Sequence, residues 1–240
     1  MSTSLMLQAS RASWSSSSHH GTEWDQNSKM KKIRDQILKR DRFVCQGCGW
    51  RSERWQEIHH KDNNHNNFDP MNLETLCPLC HQIFHLPTAA STGGGSLIWL
   101  PEMSQAQLNL LCIGVFVALH QGPSRVQAAA RALFHQLESR KALMEEQLGS
   151  CNPGLLAQVL LRMTDDEKKK QDYMLSSVRL LPYHTRFQSA ISYWSEESFK
   201  HVPVSDWEKM WPKDIDLSHL VKERMNTPLK EIMKSSTSKA

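Results

Sequence analysis

The chain has 240 residues, of which 39% are hydrophobic and 22% are charged, and its net charge is +4. This composition is typical of a soluble globular protein, and the charge is too small by itself to indicate nucleic-acid binding. The most apolar run, Leu108 to Leu119, contains Asn109 and is too short to cross a bilayer, so no membrane insertion is expected.

The N-terminal segment 1–27 is expected to be disordered, because it has eight serines in its first 18 positions and no periodic apolar pattern. It shows no basic region followed by an apolar core, so no signal peptide is predicted. The six cysteines are then expected to be reduced thiols or metal ligands, in a cytoplasmic protein.

A basic helix is predicted over about 29–41, with Ser28 as its N-cap. The segment Lys29–Arg42 has seven basic residues against two acidic ones. Such a helix can face DNA phosphates or can simply be a solvated charged surface, and both interpretations stay open.

The second half of the chain is predicted to be mainly helical. The "TGGG" stretch at 92–95 indicates a turn, and "SLIWLP" at 96–101 indicates a short strand. Four helices are then predicted. The first starts after Ser104, which forms a capping box with Gln107, and the second starts at Ser124 and runs to Gly149. The third has Asn152 as its N-cap and Pro153 as its first residue, and the fourth starts after Thr164 in "TDDE". A further helix is marked by Phe187, Ile191 and Trp194, and 216–240 reads as a polar, lysine-rich tail.

Two cysteine pairs predict a structural zinc site. Cys45 and Cys48 form one x2-spaced pair, Cys77 and Cys80 form another, and 28 residues separate the pairs. Each pair suits a tight turn that offers two thiolates to one tetrahedral Zn²⁺. Four unrelated buried cysteines would be the alternative, and the paired spacing disfavours it. Cys112 is expected in the core, and Cys151 has no evident role.

Three histidines near the second pair are candidate ligands for another divalent metal. His81 and His85 are four residues apart and share one helical face, and His59 can add a third ligand from a strand. His60 would point to the opposite face, where it could act as general base on an attacking water. Asn72 could orient that base. His65 lies in an asparagine-rich loop and is expected to be exposed to solvent.

These residues, "RDRFVCQGCG", "IHHKDNN" and "NLETLCPLCHQIFH", resemble the HNH endonuclease motif of the treble-clef, ββα-metal type. The resemblance covers about 45 residues. It implies that His59, His81 and His85 are the ligands of a catalytic metal, that His60 is the base, and that Asn72 is the orienting asparagine. It also implies that the four cysteines hold structural zinc.

A second resemblance is carried by two later stretches, "GGGSLIWLPEMSQAQLNLLC" and "VRLLPYHTRFQSAISYW". Together with the cysteine pairs, they resemble the DotN/IcmJ family of type IVB secretion and conjugation systems. That resemblance runs from roughly residue 30 to 195. It implies a cytoplasmic subunit of the type IV coupling complex at the inner membrane. Such a subunit has an HNH-like zinc core, binds the C-terminal tail of the coupling ATPase, contacts other coupling-complex subunits, and acts as a scaffold rather than a nuclease.

The expected fold is therefore α+β, with a small HNH-like ββα zinc module at 28–90 and a mainly helical region at 91–215 between the two terminal segments. The leading functional hypothesis is a zinc-binding adaptor of a coupling complex. An active HNH endonuclease that cleaves DNA with a second divalent metal is the alternative, because His59, His60, Asn72, His81 and His85 are all present. A DNA-binding zinc module without cleavage is a third.

Overall fold

The computed structural model describes residues 3–9 and 28–202; the rest of the serine-rich segment and the predicted tail lie outside these residues. In chain order the elements are α1 (Ser28–Arg40), β1 (Glu57–His60), β2 (Leu73–Leu76), α2 (Pro78–His81), α3 (Leu86–Ser91), β3 (Gly95–Trp99), α4 (Gln105–Gln121), α5 (Ser124–Ser139), α6 (Lys141–Leu148), α7 (Pro153–Arg162), α8 (Asp165–Lys168), α9 (Gln171–Met174), β4 (Val178–Pro182) and α10 (Gln188–Tyr193). Helices combined with two small sheets confirm the expected α+β class.

Both sheets are antiparallel pairs. Strands β1 and β2 pair locally, with His59 opposite Glu74, and α2 follows β2 almost immediately. Strands β3 and β4 pair across most of the helical region, with Leu97 opposite Leu180. The second sheet therefore brings the end of the described chain back to the segment that follows the cysteines.

Most of the predicted helix starts are confirmed. Ser104 and Gln107 form the capping box of α4, Asn152 caps α7 with Pro153 in its first turn, and Thr164 caps α8 with Glu167. These starts depend on side chains close in sequence that bond to the first backbone N–H groups of the helix, which is why sequence alone locates them.

One predicted helix is divided in two. The helix predicted from Ser124 to Gly149 is divided at Arg140, which separates α5 from α6. Arg140 is buried, and its guanidinium donates to the carboxylate of Glu102 and to the backbone oxygen of Trp99. The charged helix after Thr164 lasts only four residues, because none of its side chains is buried against the core.

Side-chain packing extends across the boundary predicted near residue 90. One hydrophobic cluster contains all four paired cysteines together with buried residues of α4, α5 and α10, among them Cys112, Phe116 and Ile191. A second cluster joins α3 and β3 to α6 and α7, and a small third cluster lies beneath α1. The first of these clusters therefore contains side chains of both the cysteine-rich segment and the helical region.

Residues 3–9 differ from the expectation that all of 1–27 is disordered. Leu7 is only 3% exposed and belongs to the second cluster. The backbone N–H of Gln8 donates to the oxygen of Ile83 at 3.0 Å, and the oxygen of Gln8 accepts from the N–H of Leu86. Leu5 and Leu7 are two apart, the spacing of an extended segment with one buried face, and they are too few to give a periodic pattern.

Within the described residues, no helix combines the length and the apolar character that crossing a bilayer requires.

Candidate metal centres

The four paired cysteines converge on one point. Their sulfur atoms all lie within 4.8 Å of one another and all four residues are buried. Sγ of Cys48 is 3.7 Å from Sγ of Cys77. A tetrahedral zinc with Zn–S bonds of about 2.3 Å places its sulfurs about 3.8 Å apart, so this set fits Zn²⁺.

The first cysteine pair lies in a turn with an unusual backbone. Arg42 and Phe43 just before it both have positive φ values, 53° and 58°, and Gly49 just after it has φ 79°. The N–H of Cys48 donates to Sγ of Cys45 at 3.4 Å, which closes the turn around the sulfur. A side chain at Gly47 would collide with Leu5, since an added Cβ would lie 2.7 Å from its Cδ2 atom.

The second pair is placed by a helix start. Cys77 precedes α2 in an extended conformation, Pro78 occupies the first turn, and Cys80 follows within the same turn. The N–H groups of Cys80 and His81 both donate to the oxygen of Cys77, at 3.0 and 2.9 Å. The local fold therefore directs the two sulfurs toward the first pair.

The charge state of the cluster also fits a cation. Hydrogen bonds from the Cys48, Cys77 and Cys80 thiols hold the pKa of Cys45 far below its usual value. Burial raises the pKa of the Cys77 and Cys80 thiols. The surroundings thus stabilise the Cys45 thiolate and disfavour the thiolates of Cys77 and Cys80, and a divalent cation among the sulfurs would supply the positive charge that favours them.

A second group of ligands forms beside the first. The structure brings together ring nitrogens of His59, His81 and His85, which lie within 4.8 Å of one another. The Nε2 atoms of His81 and His85 are 3.2 Å apart. His59 stacks on Phe84 with ring centroids 4.1 Å apart, which fixes its plane. All three expose 4% or less of their surface.

Burial, together with the nearby His81, His60 and His65, lowers the pKa of His59 to about 2. Its imidazole is therefore neutral over the physiological range, which is the form that binds metals. The three histidines fit a divalent metal that accepts nitrogen ligands, such as Zn²⁺ or Ni²⁺.

His60 lies on the opposite side of β1, as alternation along a strand requires. Its ring is 5.1 Å from His65 and 5.8 Å from Phe68, measured between centroids. Asn72 bonds the loop that follows His60: its Nδ2 donates to Oδ1 of Asp62 at 2.9 Å, and its Oδ1 accepts from the N–H of Asp62 at 3.1 Å. Asn72 therefore positions the backbone next to His60.

Two residues that the sequence analysis did not assign to a site, Glu57 and Asn109, contact these ligands. Glu57 places Oε2 2.6 Å from Nδ1 of His81, and Nδ2 of Asn109 donates to Sγ of Cys80 at 3.2 Å. His65 is half-buried rather than fully exposed, with its ring centroid 5.7 Å from that of His85. Glu57 was detectable, because it is two residues before His59 and so shares its strand face.

No protein-family model matches the chain. The chain is 28% identical over 178 residues to the protein named Type 4 apparatus protein DotN from Legionella pneumophila subsp. pneumophila strain Philadelphia 1. The aligned part covers 72% of this chain and 83% of the Legionella protein. This similarity supports the resemblance to the DotN/IcmJ family found in the sequence, and it extends well beyond the cysteine-rich segment.

Proposed function

We propose that this chain is a zinc-binding adaptor subunit of a type IVB secretion or conjugation coupling complex, and that it binds the C-terminal segment of the coupling ATPase. The similarity to a type 4 apparatus protein over 72% of the chain carries the proposal. An isolated nuclease module would account for about 60 residues at most, whereas the similarity reaches into the helical region. On this proposal the protein works in the cytoplasm and is held at the inner membrane by its partners.

The position of the cysteine cluster supports a structural role for zinc. Four thiol ligands leave no coordination position for water or substrate, which is typical of structural rather than catalytic zinc. Cys45, Cys48, Cys77 and Cys80 would hold the ion. When bound, it would cross-link the turn after α1 to the start of α2.

A binding experiment tests the adaptor proposal. The full-length chain is mixed with a peptide comprising the C-terminal segment of the coupling ATPase from the same organism, and the complex is measured by calorimetry and by co-purification. We expect saturable binding with one peptide per chain. A peptide of the same composition in scrambled order is the control. Equal binding of both peptides, or binding of neither, would contradict the proposal.

The second candidate function is that of a metal-dependent HNH endonuclease, and the arrangement of the histidines favours it. His59, His81 and His85 form a ligand group on one face of β1, and His60 lies beside them on the other. As a base, His60 would accept a proton from the attacking water on a ring nitrogen. Bound at the three histidines, a divalent metal would supply charge stabilisation at a phosphodiester. The burial of all four rings weighs against this role, because a DNA backbone must reach them.

A nicking assay tests this second function. Supercoiled plasmid is incubated with the protein and Mg²⁺, Mn²⁺ or Ni²⁺, and the relaxed form is quantified. The nuclease hypothesis predicts nicking that is lost in His60→Ala and kept in His120→Ala, which changes an exposed histidine of α4. Inactive wild-type protein with all three metals would exclude the hypothesis, and so would equal activity of wild type and His60→Ala.

A further inference from the structure

Asn109 is a buried polar residue in the second turn of the apolar helix α4. It interrupts the most apolar run of the chain, and its exposed fraction is 0%. Burying an amide without hydrogen-bond partners costs about 1 to 3 kcal/mol in proteins. A buried asparagine at this position therefore needs hydrogen-bond partners that offset the cost of its desolvation. The identity of these partners indicates the role of the side chain.

Its partners are a metal-site sulfur and a second buried amide. Nδ2 of Asn109 donates to Sγ of Cys80 at 3.2 Å, and Oδ1 of Asn109 accepts from Nε2 of Gln105 at 3.0 Å. Gln105 lies one helical turn earlier on the same face of α4. The amide oxygen of Asn109 is thereby held so that its nitrogen points at the sulfur.

Gln105 is in turn fixed by β4. Its Nε2 donates to the backbone oxygen of Leu180 at 2.8 Å, and its Oε1 accepts from the N–H of Leu180 at 2.9 Å. These two bonds set the orientation of the Gln105 amide, because its nitrogen faces the backbone acceptor of Leu180 and its oxygen faces the backbone donor of the same residue. A continuous chain of hydrogen bonds thus runs from Leu180 through Gln105 and Asn109 to Cys80.

We propose that Asn109 is a positioning residue of the cysteine zinc site, whose side-chain N–H stabilises the Cys80 thiolate and ties the site to the helical region. This inference rests on the proposed zinc at the four cysteines. A hydrogen bond to a ligating thiolate offsets part of its negative charge, and outer partners of this kind commonly contribute 10- to 100-fold in metal affinity.

A core residue without a role at the metal would behave differently. If Asn109 only filled space, Asn109→Leu, which keeps the branched shape and replaces the amide by two methyl groups, would leave metal binding unchanged. Leu108→Ala is the matched control, because Leu108 is the adjacent residue of α4, is equally buried, and has no polar atom in its side chain. It weakens the core beside the site without removing a bond to sulfur.

The test uses the full-length chain loaded with Co²⁺ in place of zinc. Absorption spectra report the sulfur-to-cobalt charge-transfer band, and competition with a chromophoric chelator gives the zinc dissociation constant. Asn109→Leu is expected to raise that constant at least about 10-fold and to move the band to longer wavelength, since an unbonded thiolate is the stronger electron donor. Leu108→Ala is expected to leave the band position unchanged.

The possible results distinguish the role of Asn109 from the presence of zinc at the four cysteines. Wild-type protein that binds neither Co²⁺ nor Zn²⁺ at the cysteines would remove the zinc proposal itself. Wild-type binding with an unchanged band and affinity in Asn109→Leu would overturn the role of Asn109 alone. Should Asn109→Leu fail to fold, the wild-type protein loaded with ¹¹³Cd decides: the hydrogen bond predicts scalar coupling between cadmium and the Asn109 side-chain amide protons, and absence of this coupling would overturn it.

Discussion

Nδ1 of His81 lies 2.6 Å from Oε2 of Glu57, so the opposite ring nitrogen, Nε2, faces Nε2 of His85 at 3.2 Å. A carboxylate that accepts the Nδ1–H of a histidine selects the tautomer whose Nε2 carries a lone pair. This is the arrangement by which carboxylates orient metal-binding histidines. Glu57 is itself 38% exposed, so it lies at the entrance to the histidine group rather than within it.

Glu57→Ala is predicted to weaken divalent-metal binding at the histidines by about 10- to 100-fold, because His81 loses the group that fixes its tautomer. Calorimetric titration with Ni²⁺ of protein already loaded with zinc at the cysteines measures this. Glu53→Ala, which changes an exposed glutamate that is 3.9 Å from Arg51, should leave the affinity unchanged. Equal affinities for wild type and Glu57→Ala would show that Glu57 does not position His81.

Cys77→Ser is predicted to abolish stoichiometric zinc and to lower the free energy of unfolding by about 4 kcal/mol or more, the range reached when a structural metal is lost. Elemental analysis and thermal unfolding measure the two effects. Cys151→Ser is the control, because Cys151 lies outside the cluster and is half-buried. It should retain zinc and stay within about 0.5 kcal/mol of wild type. Full zinc content in Cys77→Ser would contradict the four-cysteine site.

Asp41 predicts a pH dependence of stability. Burial of its carboxylate would raise the pKa, but bonds from Arg40 and from the N–H of Thr75 outweigh burial and hold the pKa of Asp41 below its usual value. A lowered carboxyl pKa contributes stability that is fully present above the unfolded pKa of about 3.9 and is lost as pH falls through the native pKa.

Asp41→Asn is therefore expected to lower the free energy of unfolding by about 1.5 kcal/mol at pH 7, a value typical of a hydrogen bond to a charged group. The difference from wild type should shrink as the pH falls below about 4. Denaturant titrations of both proteins at each pH measure it, and effects common to both, such as metal loss in acid, cancel. Asp35→Asn in α1, where the side chain is 49% exposed, is the control and should change the free energy of unfolding at pH 7 by less than about 0.5 kcal/mol. A gap that persists in acid would refute the assignment.

Leu7→Ala is predicted to lower the free energy of unfolding by about 2 kcal/mol, since a buried leucine is truncated. Met71→Ala removes an apolar side chain that is 76% exposed and should change stability by less than about 0.5 kcal/mol. Thermal unfolding of both variants gives the comparison. Identical melting temperatures for Leu7→Ala and wild type would show that residues 3–9 do not pack on the core.

The sequence predicted the parts of the molecule that depend on near neighbours. Helix starts at Ser104, Asn152 and Thr164 follow from side chains that bond within one turn. The cysteine pairs were equally readable, because x2 spacing fits the turn that presents two thiols. The approach of His59 to His81 and His85 follows from a strand pair that leads directly into a helix.

Features that depend on contacts between residues far apart in the sequence were not predicted. The break at Arg140 depends on Glu102, and the burial of Leu7 depends on clusters built from α3, α6 and α7. Asn109 was visible as an anomaly in an apolar run, but its partner Cys80 is 29 positions away along the chain. Neither hydrophobic periodicity nor the spacing of nearby residues predicts a contact between residues this far apart.

The shared interior of the cysteine cluster and the helical region has a consequence for synthesis. All four cysteines leave the ribosome before α4 and α10, which cover their surroundings in the finished protein. If these cysteines hold zinc, as proposed above, a nascent chain can bind the ion while the apolar side chains around the sulfurs still face water. During that interval the nascent chain is susceptible to aggregation and to thiol oxidation. The interval ends when the later helices have been synthesised and cover the apolar side chains.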